Sequence, residues 1–201
     1  MPRAGLSKQA VVREAIRLIE EEGSSALTMR ELAKRLNVRA ASLYNHVESM
    51  DEILAEVGTY AIASLNNCQF SAIAGLDQDA AVFALADAYR QFAKEHPALY
   101  EIIMSLHRTN KAIIENTAHP ITAPFMQVLG GYPLSREAAM HWQRVLRSIL
   151  HGFLSQEEAG YFCHFPIDQN RSFHLAIQCY VDGLHAAVKK EAQANHENGK
   201  Q

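Results

Sequence analysis

Five side chains within one eight-residue stretch, Arg39, Ala40, Ser42, Asn45 and His46, are of the types that read the edges of DNA bases. Arginine pairs with guanine, asparagine with adenine, serine with either, and an alanine methyl packs on the thymine methyl. Such groups must share one side of a helix whose other side is anchored. An apolar stripe of Val38, Leu43, Tyr44 and Val47 at helical spacing offers the anchor. An ordinary helical hairpin with a solvated polar face would show the same periodicity.

The elements that would hold this helix precede it. Met29, Leu32, Ala33 and Leu36 form a first amphipathic helix, opened by a capping box in which Thr28 stands three residues before Glu31. Asn37 tolerates a left-handed backbone and marks the turn. Ala33 is small where the two helices must cross. Thr28 to Val47 therefore reads as a helix-turn-helix.

The run LTMRELAKRLNVRAASLYNHV, with VREAIRLIEEEG before it, resembles the N-terminal signature of the tetracycline-repressor (TetR) family of transcriptional regulators over roughly residues 7–60. The resemblance implies that Thr28 and Tyr44 contact phosphates and that Arg39, Ala40, Ser42, Asn45 and His46 face the major groove; Arg30 completes the set of DNA-binding candidates. Two positions depart from the family pattern. Asn37 replaces a turn glycine, and Met50 stands where many members carry a phosphate-binding lysine.

Composition is that of a globular protein: 201 residues, 48% hydrophobic and 20% charged. No apolar run reaches membrane-spanning length, and the N-terminus lacks the uninterrupted apolar core of a signal peptide. Cytoplasm is the expected location. The net charge of −3 is unevenly spread: residues 1–50 hold eight lysines and arginines against six glutamates, net +2, leaving −5 for the rest. That asymmetry puts polyanion binding at the N-terminal end.

Along the chain, a first helix runs from the cap Ser7 to Glu22 with Val12, Ala15, Ile16 and Ile19 inward and Gly23 ending it. Glu20, Glu21 and Glu22 read as a solvated charge run. Ser49 and Glu52 form a second capping box, opening a helix to about Asn66; residues 67–77 read as a loop. Further helices are expected from Asp77 to Glu95, from Pro97 to Leu106, and from Asn110 to Leu129, the last kinked or split near His119 by Pro120 and Pro124. After the turn at 130–133, two long helices follow, Ser135–Glu158 and Asn170–Lys190, with Trp142, Val145, Leu146, Ile149, Leu150 and Phe153, then Phe173, Ile177, Tyr180, Leu184 and Val188, inward. The tail 191–201 reads as disordered.

Catalytic constellations are missing from the sequence: it has no phosphate-binding glycine loop, no GxSxG and no HExxH. Ten histidines show no metal-ligand spacing, and the three cysteines, Cys68, Cys163 and Cys179, read as reduced side chains in or near a core. Neither a cofactor nor a metal is expected, nor an enzyme. Tyr89, Phe92, Tyr100, Met104, Phe125 and Trp142 could line a ligand pocket between helices, with His107, Gln143 and Arg147 as polar contacts, although such residues also build plain cores. Gly152 and Gly183 interrupt the last two helices and call for close packing. LHGFLSQEEAGYF resembles a histidine-glycine motif of one family branch in which these helices form the dimer, implying Leu150, Gly152, Phe153, Tyr180, Gly183 and Leu184 at the interface.

The resulting expectation is an all-α protein of nine helices: a helix-turn-helix domain at 1–50, a ligand-binding and dimerisation domain at 51–190, and the tail. It would act as a homodimeric repressor on a double-stranded, palindromic DNA operator, released by a small-molecule effector and not associated with membrane. A helical dimeric ligand sensor with little DNA affinity is the alternative, and a helical metal-dependent enzyme a third.

Overall fold

The computed structural model describes the backbone of residues 6–109 and 111–198 and the side chains of residues 6–106 and 120–193. Among the described residues there are nine α-helices and no strand: α1 (Lys8–Glu22), α2 (Met29–Arg35), α3 (Ala40–Leu43), α4 (Met50–Ile73), α5 (Gln78–Glu95), α6 (Pro97–Thr109), α7 (Lys111–Leu129), α8 (Arg136–Glu158) and α9 (Gln169–Asn198). Short 3-10 turns lie at Ser24–Ala26 and Tyr161–His164. No helix among the described residues is long and apolar enough to cross a membrane.

The caps are where local chemistry placed them. Ser7 accepts the Ala10 amide at 3.2 Å, Thr28 the Glu31 amide at 3.1 Å, Ser49 the Glu52 amide at 3.2 Å and Ser135 the Ala138 amide at 3.1 Å. Each satisfies an amide that the first turn leaves unpaired. Gly23, at φ 89°, lets the chain leave α1 in a conformation that other residues resist.

Packing divides the chain into two compact units, Met1–Leu65 with Phe92–Ile121, and Asn66–Gln91 with Thr122–Gln201. In the first, Val11, Leu18, Ile19, Leu32, Leu43, Ile53 and Val57 are buried together with Leu99, Ile103 and Leu106 of α6. In the second, Leu85, Tyr89, Phe125, Leu146, Leu150, Phe173, Ile177 and Leu184 are buried. Fully burying an aliphatic or phenyl side chain of this kind contributes about 1.5–3 kcal/mol each. The domain boundary drawn at residue 50 coincides with the first residue of α4, while the first compact unit also takes in α4 as far as Leu65 and the segment around α6.

Several expectations need correction. The stretch 67–77 is not a loop: α4 runs on to Ile73, because Leu65, Gln69 and Ile73 are one buried stripe whose middle member is polar and hid the periodicity. α7 passes through Pro120 and Pro124 as one helix, not two. α9 reaches Asn198, so 191–198 continues the helix; that stretch has no glycine or proline, and Glu191 accepts from the Ser135 amide and hydroxyl at 3.2 and 3.1 Å. In α1 the inner stripe includes Val11 and Leu18, and Val12 is half-buried. In α8 it is turned toward Ala139, Gln143, Leu146, Leu150 and Leu154, leaving Trp142, Ile149 and Phe153 half-buried and Val145 exposed. All three cysteines are exposed rather than near a core.

One buried cation also went unseen. Arg90 of α5 is held by the Glu157 carboxylate at 3.0 and 2.5 Å and by Asn170 Oδ1 at 2.9 Å, with its guanidinium 4.7 Å from the Phe173 ring centre and 5.6 Å from that of Phe153. It joins α5, α8 and α9 inside the second unit.

Candidate nucleic-acid interface

The turn between α2 and α3 is fixed by backbone geometry. Asn37 adopts φ 53°, its amide donates to the Lys34 carbonyl at 3.1 Å, and the Val38 amide donates to the Ala33 carbonyl at 2.9 Å. These two bonds, closing over a left-handed residue, are a Schellman motif, which satisfies carbonyls orphaned at the end of α2. Asparagine serves because its polar side chain lowers the cost of the left-handed conformation. Ala33, buried where α2 meets its neighbours, leaves room for this close turn.

Arg39 begins the next helix with extended backbone and no side-chain cap, so its guanidinium is not spent on the helix end. Regular α-helix covers Ala40–Leu43, and tight turns extend it: the His46 amide donates to the Leu43 carbonyl at 2.8 Å, and the Val47 amide to the same carbonyl at 3.1 Å. Leu43 and Val47 are buried, whereas Arg39, Ala40 and Asn45 are exposed and Ser42 and His46 half-exposed. The structure thus brings together, on one solvent-facing side, all five residues singled out for base reading. Ala41 is exposed there too and was missed, because a second alanine in an Ala-Ala pair carries no distinguishing signal. Tyr44 is 58% exposed, which removes it from the apolar stripe and leaves its hydroxyl free to meet a phosphate.

Thr28 is exposed at the start of α2. Its oxygen accepts the Glu31 amide, and its hydroxyl proton remains to donate. Glu31 does not complete the reciprocal half of the capping box, since its carboxylate pairs with Lys34 at 3.0 Å.

Charge at this end is more sharply partitioned than the sequence suggests. The acidic run closing α1 is exposed, as expected, and it is also paired: Arg35 binds Glu21 at 2.7 Å and also Glu22, and Glu20 meets Nδ1 of His96 at 2.9 Å. Lys8 spans Glu52 and Glu56 at 2.7 and 2.6 Å, and Glu52 also accepts the Glu48 amide at 2.6 Å. Its hydrogen bonds from Lys8 and that amide hold the Glu52 carboxyl below the usual carboxylate range, and the two glutamates push the Lys8 ammonium above the ordinary lysine value. Arg30 and Arg39 have no carboxylate partner among the described residues. Arg35, Lys34 and Lys8 are committed internally. Met50 is the first residue of α4, half-buried, with the paired Lys8–Glu52 cluster close by.

The unit carrying this surface also holds α6. The Ser24 hydroxyl donates to Glu101 Oε2 at 2.5 Å, His96 meets Glu20 as above, and Gly58 lies so close to Leu106 that a Cβ there would be 2.5 Å from a leucine methyl. α1 is therefore tied to His96, the residue just before α6, and both the turn after α1 and helix α4 to α6 itself.

The pocket candidates divide. Tyr89, Phe125 and Trp142 belong to the second unit, with Tyr89 edge-to-face on Phe125 at 6.1 Å. Phe92, Tyr100 and Met104 belong to the first, where Phe92 packs on His96 at 5.1 Å. The His107 side chain lies outside the described residues. Trp142 is engaged in packing: it meets the Tyr180 ring at 5.3 Å, its carbonyl accepts the Tyr180 hydroxyl at 3.2 Å, and its ring would be 3.2 Å from a Cβ at Gly183. A cleft of about 550 Å³ in the first unit, lined by Val12, Ile16, Thr59 and Tyr60 among others, contains none of these candidates.

The expected dimer residues are corrected in part. Leu150, Tyr180 and Leu184 are buried within the chain itself, and the close neighbour of Gly183 is Trp142 of the same chain. These three side chains belong to the inner stripes of the two long helices, which serve the chain's own core. Gly152, with open space around it, and half-buried Phe153 remain accessible.

Comparison with known proteins agrees with this architecture. The sequence profile of bacterial regulatory proteins of the tetR family matches residues 11–57, and that of a tetracyclin repressor-like C-terminal domain matches residues 82–180. An uncharacterised HTH-type transcriptional regulator of Bacillus subtilis, YobS, is 32% identical over 188 residues, covering 91% of this chain and 95% of its own. A Rhodococcus protein of unknown function has a similar structure, with TM-score 0.75 at 18% identity over 91% of this chain and 98% of that one. So does a TetR variant from Acinetobacter baumannii in complex with minocycline, with TM-score 0.67 at 17% identity over 91% of this chain and 98% of that one. With the turn geometry, the solvent-facing row from Arg39 to His46 and a relative matched almost end to end, this chain belongs to the TetR family of bacterial transcriptional regulators.

Proposed function

We propose that the protein is a ligand-responsive repressor that binds a palindromic operator as a homodimer and leaves it when a small molecule binds the helical body. The observation that carries this reading is the row Arg39, Ala40, Ser42, Asn45 and His46, exposed or half-exposed over an anchor of buried Leu43 and Val47. Arg39 and Asn45 are suited to guanine and adenine. Thr28, Arg30 and Tyr44 flank them and take the phosphates, which position the helix without reading sequence.

Two such rows must stand about 34 Å apart, one turn of DNA, to enter successive major grooves. The dimer that sets this spacing uses faces of α8 and α9 that the chain leaves uncovered: Val145, 44% exposed, with Gly152 on α8, and Leu175, 63% exposed, on α9. A ligand weakens DNA binding in proportion to its preference for another head spacing. The bond of Ser24 to α6, that of Glu20 to His96 just before it, and the contact of Gly58 with Leu106 let any displacement of α6 carry the head with it. Its action is regulatory rather than catalytic, in the cytoplasm.

Weak DNA affinity is the competing reading, favoured by Met50 in place of a lysine and by the internal engagement of Arg35. Fluorescence anisotropy on DNA from the region upstream of the protein's own gene, repeated across salt concentrations, decides between them. Repression predicts footprinted, salt-sensitive binding. An absence of salt-dependent binding to this or any other duplex overturns it.

A further inference from the structure

Gln69 lies on the inward stripe of α4 between Leu65 and Ile73, fully buried, and neither its Nε2 nor its Oε1 has a hydrogen-bond partner among the described residues. Gln143 sits on the inward stripe of α8 with Ala139, Leu146 and Leu150, 2% exposed, and its Oε1 is likewise unpartnered. Both belong to the second compact unit. A side-chain amide sealed among apolar neighbours gives up its hydration with nothing in exchange, and native interiors hold few such groups. Each sits mid-helix on the buried stripe of its own element.

We propose that Gln69 and Gln143 are the polar recognition groups of the effector site, and that the effector is an uncharged molecule presenting both hydrogen-bond donor and acceptor groups. This rests on the reading of the chain as a ligand-responsive regulator. The class follows from the inventory of polar groups. Gln69 offers a donor and an acceptor, and Gln143 an acceptor, so a complementary molecule accepts at one point and donates at others. The only buried charge among the described residues, Arg90, is already neutralised by Glu157 and bonded to Asn170. An ionised ligand would find no counter-charge in this interior, whereas a neutral amide, lactam or hydroxyl compound is matched by the two glutamines. Arg147, one turn beyond Gln143, is half-exposed and keeps its own access to water.

The test uses the full-length protein and three probes of one size: acetanilide, which is neutral with one N–H and one carbonyl, benzoate and benzylammonium. Ligand-observed NMR titrations are run on the wild type and on Gln69→Met, Gln143→Met, the double variant and Arg147→Met, with melting temperatures of the unliganded proteins alongside. Acetanilide is expected to bind at least tenfold more tightly than either ion, to weaken about fivefold with each glutamine replaced, as for one hydrogen bond, and to be unaffected by Arg147→Met. Both methionine variants should melt higher than the wild type when empty, because an unbonded amide has been removed. Failure of acetanilide to bind, or equal binding to the double variant, overturns the assignment, as does a lower melting temperature in both variants, which would mean that the amides have partners within the protein. Tighter benzoate binding that is lost in Arg147→Met overturns the neutral class while leaving ligand sensing intact. DNA affinity of the wild type, measured separately by anisotropy, fails or succeeds independently of these titrations.

Discussion

Gly58 offers a prediction whose sign changes with its neighbour. A Cβ built there would lie 2.5 and 2.6 Å from the two methyl carbons of Leu106 and 3.0 Å from its Cγ, far inside van der Waals contact. Leu106 is itself buried, so its methyls have little room to retreat. Gly58→Ala gains about 1 kcal/mol of helix propensity and loses about 1–3 kcal/mol to overpacking, a net cost of up to about 2 kcal/mol. Leu106→Ala alone should cost about 2–5 kcal/mol, as for other large-to-small core changes. In that background the added methyl enters vacated space, so Gly58→Ala should now stabilise by about 1 kcal/mol. The interaction energy between the two sites is then about 1–3 kcal/mol in favour of the double variant. Equilibrium urea unfolding of the four proteins, at one fixed protein concentration because association shifts apparent stability, measures all four terms. If Gly58→Ala stabilises the wild-type background, or costs the same in both, α4 and α6 are not in the contact described.

Other perturbations test separate parts of the structure. Arg90→Met removes one partner of a buried pair and should cost about 3–5 kcal/mol in urea unfolding; adding Glu157→Leu should restore most of it, and a loss under 1 kcal/mol would mean that the pair is solvated. Burial works against the Asp79 carboxylate, but hydrogen bonds from His185 and Tyr132 at 2.9 and 2.7 Å hold its pKa below the ordinary value. A depressed folded-state pKa contributes stability above the unfolded value, about pH 4, that is lost as pH falls further. Asp79→Asn should therefore flatten the acid limb of the stability profile, and an unchanged limb would remove that pair from the account. Met50→Lys should tighten binding to any duplex and steepen the logarithmic salt dependence by about one unit per subunit; identical slopes would show that residue 50 does not face the DNA backbone.

Much of the head was legible because its signals are local. Ser7, Thr28, Ser49 and Ser135 each cap within three residues of their own position, and Asn37 announces the left-handed turn by type alone. What the sequence concealed depends on partners distant along the chain. Arg35 and the glutamates closing α1 are 13 and 14 residues apart, and Arg90 and Glu157 are 67 apart, so neither pairing leaves a periodic trace. Gln69 broke the apolar pattern of α4 while remaining inside, which turned the last seven residues of the helix into an expected loop. In α8, Gln143 inside and Val145 outside turn the core face by about one residue from the one expected. The solvent-facing row from Arg39 to His46 was legible because it lies opposite Leu43 and Val47, a contrast that four-residue spacing reveals. Of the two glutamines assigned to the effector, Gln143 stands among the polar contacts named from the sequence, whereas Gln69 falls in the stretch expected to be a loop.

The central claim is that the solvent-facing side of α3 and the turn after it reads DNA sequence. The measurement that tests it most directly is the affinity of wild type, Arg39→Ala, Asn45→Ala and Tyr44→Ala for the footprinted operator and for random duplex, at one salt concentration. The account predicts that Arg39→Ala and Asn45→Ala each lose about 1–3 kcal/mol on the operator and much less on random DNA, because base-edge bonds exist only on the cognate site. Tyr44→Ala should weaken both equally, as expected of a phosphate contact. Equal losses on both duplexes for Arg39 and Asn45 would contradict the account, reducing this face to one that touches only the backbone.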